Sequence, residues 1–187
     1  MARWEPNARG RLEQAALELY SERGFDATTV KEIAQRAGLT ERTFFRHFAD
    51  KREVLFPSNA LQEALVAALA EVPGDAAPLD AVSATLQSAA EQFQERRETI
   101  QRRQAVIAAH TELQERELIK LASVAAALAD ALRRRGVPEP HASLAAEAGV
   151  AVFKTAFAHW VNEPDPPGLP HLVRDTFDAL KDVTADD

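Results

Sequence analysis

Apolar residues recur at helical spacing along almost the whole chain. Between Pro6 and Arg23, Leu12, Ala15, Ala16, Leu19 and Tyr20 fall three or four positions apart, which predicts an amphipathic helix. Pro6 suits its first position and Gly24 its stop. Thr29-Val30-Lys31-Glu32 has the pattern of a capping box and opens a short helix with Val30, Ile33, Ala34 and Ala37 inward, ended by Gly38. Thr40 is placed to cap a third short helix carrying Phe44, Phe45 and Phe48. Asp50-Lys51-Arg52-Glu53 reads as another box opening a fourth helix. Pro57 should break or bend that helix, with Ser58-Asn59 restarting it to about Val72. Beyond a loop at 73–78, helices are expected from Leu79 to Arg97, through Glu98–Arg135, from Pro140 to Asn162, and from 169 to 182. Only the Asp-Asp end looks disordered.

Composition strengthens the helical reading. Alanine supplies 37 of the 187 residues, against 7 Gly and a single Tyr. Alanine is the best helix former, so an all-α fold is expected. The absence of cysteine excludes disulfides, Cys-ligated zinc, iron–sulfur ligation and thiol catalysis. No apolar run approaches the roughly 20 residues that span a bilayer, and Met1-Ala-Arg-Trp-Glu-Pro lacks the apolar core of a signal peptide. A cytoplasmic protein is expected.

The net charge of −7 hides an asymmetry. Residues 1–55 carry ten Lys and Arg against nine Asp and Glu, whereas residues 56–187 carry twelve against twenty. Nucleic acid responds to the field of one face within about 8–10 Å, so a near-neutral first segment on an acidic remainder is compatible with a small DNA-binding part.

The specific signal lies in residues 28–51. Two short capped helices meet at Arg36-Ala37-Gly38-Leu39-Thr40, where Ala34 permits close approach, Gly38 the turn, and the Thr40 hydroxyl a cap. With Phe44 and Phe48 inward, the second helix offers Arg42, Thr43, Arg46 and His47 on its other face, donors suited to base edges and phosphates. Residues from about 10 to 56 resemble the DNA-binding domain of the TetR family of transcriptional regulators. The matching features are Tyr20-Ser-Glu-Arg-Gly-Phe25, Ala27-Thr-Thr-Val-Lys-Glu-Ile-Ala34, Ala37-Gly38-Leu39-Thr40, Thr43-Phe-Phe-Arg-His-Phe48, Asp50-Lys51 and Leu55. The resemblance implies a helix-turn-helix DNA-binding domain at 1–56 and a helical effector-binding and dimerisation domain at 57–187, about nine helices in all. It also implies a homodimer formed through the last two helices.

Carried over by position, the resemblance makes Thr28 a phosphate contact and Thr40 and Thr43 contacts at the start of the recognition helix. Arg42 becomes the main base reader, and His47 and Lys51 phosphate ligands. Position 45 is often Tyr in that family. Phe45 keeps the ring without the hydroxyl, which leaves a thymine methyl or sugar as its target and Arg46 as the replacement phosphate ligand.

In the second domain, Phe93, Ile107, His110, Leu121, Phe153, Phe157 and Trp160 are the effector-pocket candidates. Arg96-Arg97 and Arg102-Arg103 could meet an anionic effector. Leu144, Ala148 and Val152 on an Ala-rich helix that also holds Gly149, with Leu169, Leu172, Val173, Phe177 and Leu180, are the dimer-interface candidates. No cofactor is implied. His159 and Glu163 lack a third metal ligand, and no glycine-rich phosphate loop, G-x-S-x-G or HExxH motif argues for an enzyme. The expected function is a repressor that leaves a pseudo-palindromic operator when a small molecule binds. A TetR-like activator, and a helical protein-interaction module without sequence-specific DNA binding, are the alternatives.

Overall fold

The computed structural model describes residues 7–56 and 59–185. Among these the chain is all-helical. In order come α1 (Ala8–Arg23), α2 (Val30–Arg36), α3 (Glu41–His47), a 3₁₀ turn (Glu53–Leu55), α4 (Asn59–Glu71), α5 (Pro78–Gln94), α6 (Arg97–Ala108), α7 (Thr111–Arg134), α8 (His141–Asn162) and α9 (Leu169–Thr184). The expected helix start at Pro6, the expected break at Pro57 and the expected disordered Asp-Asp end lie outside the described residues.

Packing divides the chain into two compact units. The first holds the N-terminal segment to the 3₁₀ turn together with Arg102–Glu115, and the second holds the remainder. The boundary drawn from sequence placed 102–115 wholly in the second domain. Instead, Val106, Ile107 and Leu113 are buried among Leu12, Leu19, Phe25, Leu55 and Phe56 of the first unit.

Local chemistry explains the first unit's elements. Asn7 accepts the Gly10 amide at the start of α1, and Gly24 ends that helix at φ 87°, a conformation open to a residue without Cβ. Thr29 and Glu32 form a reciprocal capping box, each side chain accepting the other's main-chain N–H. Thr40 accepts the Thr43 amide and opens α3. The fourth helix does not begin at Asp50. Its carboxylate accepts the amides of Arg52 and Glu53, and the chain makes only one 3₁₀ turn before extending at Phe56.

In the second unit α5 lies against both α8 and α9. Its core joins Leu69, Val82, Leu86, Leu128, Leu132, Trp160, Leu169, Val173 and Phe177. Gly149 is the point of closest approach: a Cβ there would lie 2.3 Å from Val82 Cγ1. The small residue therefore serves packing of α8 on α5 within the chain. Helix ends are tied by side chains from elsewhere. The Arg135 guanidinium donates to the carbonyls of Leu69, Val72 and Pro73 at the end of α4, and Gln94 accepts the first amide of α9 from Leu169. Among the described residues no helix is long and apolar enough to cross a membrane.

Candidate nucleic-acid interface

Helix α3 has two sides of different chemistry. Phe44 is fully buried, and the capping residue Phe48 nearly so. Their rings pack at 5.4 Å in the core between α1 and α2. Burial of these two rings contributes on the order of 2–3 kcal/mol each and holds the helix inward face down. The opposite side presents Glu41, Arg42, Phe45 and Arg46 to solvent. Phe45 is 56% exposed and held edge-to-face on Phe44 at 5.5 Å, so its ring projects from a fixed support.

The cations of this unit fall into two sets. Arg23 pairs with Glu32, Arg36 with Glu18 and Glu22, and Arg52 with Asp50. Arg9 and Arg11 donate to main-chain carbonyls. Lys31, Arg42 and Arg46 are exposed and make no hydrogen bond or ion pair among the described residues. A cation without an internal partner keeps its whole charge for an external anion. Lys31, at the start of α2, was not among the residues expected from sequence.

The remaining expected contacts separate by geometry. Thr40 and Thr43 sit together at the start of α3, their hydroxyls 3.0 Å apart. Thr28, by contrast, is buried, and its hydroxyl donates to the Gly24 carbonyl at 2.9 Å, closing the turn after α1. Lys51 is likewise committed. Its ammonium donates to the carbonyls of Phe25 (2.9 Å), Thr28 (3.1 Å) and Asp26 (3.4 Å), and lies 4.3 Å from the Phe25 ring centre. Both residues hold the α1–α2 loop, where a phosphate role was expected. His47 points its Nε2 into the protein, where it is buried without a partner. Burial, then the charges of Arg46 and Arg9, lower its pKa, which favours the neutral ring.

The effector-pocket candidates divide between the units. Phe93, Phe153, Phe157 and Trp160 come together in the second unit, with successive ring centres 5.8–6.3 Å apart. Leu121 lies half-buried on the same core. Ile107 and His110 do not join them. Ile107 is buried in the first unit, and the His110 ring packs on Phe25 at 5.2 Å with Nδ1 3.9 Å from Asp26. Helical periodicity marked them as inward without telling which core they enter. Arg97 and Arg103 are not waiting for an anion. Arg97 donates to the carbonyls of Trp160 and Glu163 at the end of α8, and Arg103 to that of Leu55.

Most of the dimer candidates are spent inside the chain. Val152, Leu169, Leu172, Val173 and Phe177 are buried in the second unit's own core, because the apolar face of α9 is what packs on α5 and α8. Leu180 and Ala148 are half-buried, and Leu144 is 65% exposed. Outward on α8, Leu144, Ala148, Ala151, Thr155 and Ala158 follow one another at three- and four-residue steps.

Two family models match parts of this chain. One described as bacterial regulatory proteins, tetR family, matches residues 13–56, and one described as the MftR C-terminal domain matches 76–185. The HTH-type transcriptional regulator TcmR of Streptomyces glaucescens is 47% identical over 76 residues, which is 40% of this chain and 34% of that protein. The chain thus spans about a third of the length of that curated relative. Among solved structures, SmeT, the repressor of the Stenotrophomonas maltophilia multidrug efflux pump SmeDEF, superposes with a TM-score of 0.62 at 21% identity, covering 96% of this chain and 91% of SmeT. Thermus thermophilus FadR in complex with lauroyl-CoA gives 0.52 at 20% identity, covering 96% of both chains. At these identities the likeness is one of fold.

Proposed function

We propose that this chain, which belongs to the tetR family of bacterial regulatory proteins, is a homodimeric repressor released from its operator by an apolar small molecule. The observation that carries the reading is α3 itself. Its inner face is locked into a core, while Arg42, Phe45 and Arg46 project outward and neither arginine makes a hydrogen bond or ion pair among the described residues. Arg42, in the first turn, is suited to a guanine edge, and Arg46, one turn on, to a phosphate. Two copies related by a two-fold axis would place two such helices in successive major grooves of a pseudo-palindromic site.

The aromatic group Phe93, Phe153, Phe157 and Trp160 supports an effector with an apolar body. The lauroyl-CoA bound by the Thermus protein combines such a body with an anionic head. The effector acts only through unequal affinity for the DNA-competent and released states. The outward stripe of α8 from Leu144 to Ala158 is the surface we assign to the dimer contact.

The test is fluorescence anisotropy of the purified protein on the intergenic DNA upstream of its own gene, at two salt concentrations, beside Arg42→Ala. Operator binding predicts tight, salt-steep association that the variant loses. Binding no better than to random DNA would exclude autoregulation and direct the search to selection from random sequence. Failure to bind any DNA would leave the protein-interaction reading.

A further inference from the structure

Two arginines of α1 reach the carboxyl ends of both helices in the helix-turn-helix. Arg11 donates from Nη2 to the carbonyl of Ala37, the C-terminal cap of α2, at the turn that leads into α3. Arg9 donates from Nη1 to the carbonyl of His47, the last residue of α3, at 3.4 Å. The same guanidinium lies 4.5 Å from the centre of the Phe48 ring and pairs through Nε with Glu13 at 2.9 Å. The turn and Arg11 are fitted to each other. Gly38 has φ +66°, and a Cβ there would fall 2.8 Å from Arg11 Nη2.

Helices α2 and α3 are seven residues each, two turns apiece, too short to hold an orientation by themselves. Their last carbonyls have no partner within the helix, and a cation there also opposes the helix dipole. The guanidinium suits the task because one planar group serves a carboxylate, a carbonyl and a ring face together, which an ammonium does not.

We infer that Arg9 and Arg11 are positioning residues for operator recognition: they fix the angle at which α3 is presented, and do not themselves bind phosphate. The inference rests on reading α3 as the recognition helix. It separates two kinds of cation that a charge map would merge, those that hold the reading helix (Arg9, Arg11) and those that face outward from it (Arg42, Arg46).

The probe is a duplex that the wild-type protein recovers from random sequence, compared with an unrelated duplex, each titrated at several salt concentrations with Arg9→Ala, Arg11→Ala, Arg9→Lys and Arg11→Lys. The expected result is about a tenfold loss of affinity for the recovered duplex, no change on the unrelated one, and an unaltered slope of log Kd against log salt. Amide hydrogen exchange over 41–47 should quicken without DNA present. If the alanine variants do not fold, the lysine variants decide. They keep the charge and lose the planar fork, so positioning predicts the same loss of specificity, whereas a phosphate contact predicts wild-type behaviour. A slope reduced by about 0.9 per alanine substitution, with both duplexes weakened alike, would overturn the inference in favour of direct phosphate binding. Unchanged affinity would overturn it too. Recovery of no duplex by the wild type would instead strike at the recognition-helix reading itself.

Discussion

The ammonium of Lys51 lies 2.9 Å from the carbonyl oxygen of Phe25 and sits over that residue's own ring, so one cation fastens the chain just before the 3₁₀ turn to the loop between α1 and α2. A hydrogen bond to a charged group is worth about 1.5–3 kcal/mol net. Lys51→Met should therefore lower the stability of the N-terminal unit by about 2 kcal/mol, read as an earlier transition in denaturant monitored by amides of α1 and α2. The salt slope of DNA binding should stay as in the wild type. A slope reduced by about one would restore the phosphate role instead.

Arg42 and Arg46 should respond in the opposite sense. Among the described residues neither side chain makes a hydrogen bond or ion pair, so thermal stability of each alanine variant should hold within about 0.5 kcal/mol of wild type. Arg42→Ala should cost about 1–3 kcal/mol of operator affinity and relax specificity at a single base pair, read by competition among single-position operator variants. Arg46→Ala should weaken binding evenly across sequences and reduce the salt slope by about 0.9.

His47 should make the first unit sensitive to mild acid. Its folded-state pKa is lowered from the ordinary 6.5 by burial and by the charges of Arg46 and Arg9. Below that ordinary value the unfolded chain takes up a proton that the folded chain refuses. Stability is therefore whole above about pH 6.5 and falls as pH drops through the folded pKa. Glu22, held low by Arg36, Glu32, held low by the Thr29 amide, and Asp50, held low by Arg52, add losses that begin only as pH falls into the ordinary carboxylate range and continue below it. Equilibrium unfolding between pH 7 and pH 5 should show a decline in the wild type that His47→Gln lacks.

The outer and inner faces of the last two helices should separate assembly from folding. Leu144→Glu replaces an exposed side chain and should yield a folded monomer by sedimentation. Phe177→Ala empties a fully buried site and should cost about 3–5 kcal/mol in stability whatever the assembly state. A Leu144→Glu protein that remained dimeric would move the contact away from the outward stripe of α8.

The aromatic group of the second unit offers its own reporter. Trp160 is buried against Phe157, and the only other tryptophan is Trp4. In a Trp4→Phe background, an apolar effector bound at this group should shift the Trp160 emission. Phe153→Ala, at a half-buried ring, should leave the fold intact and weaken that response by about 2 kcal/mol, roughly thirtyfold in Kd. An unchanged titration would place the effector elsewhere.

What the sequence determined by itself is short in range. The Thr29–Glu32 box and the Thr40 cap join residues three positions apart, so their partners are settled before any tertiary contact forms. Periodicity likewise marked Phe44 and Phe48 as inward and Arg42 as outward, because the helix carries its own geometry. Long-range partners were decided only by the fold. Lys51 and Arg46 are both cations of one short segment, and nothing local tells them apart. The carbonyls that occupy Lys51 lie 23 to 26 positions away, and those that engage Arg9 and Arg11 lie 38 and 26 away. The Asp50 pattern promised a helix, yet its carboxylate closed a single 3₁₀ turn. An apolar stripe states that a face must leave water and is silent about the neighbour that covers it. For that reason Phe177 entered the chain's own core, and Ile107 joined the first unit although it lies more than fifty residues beyond it in sequence.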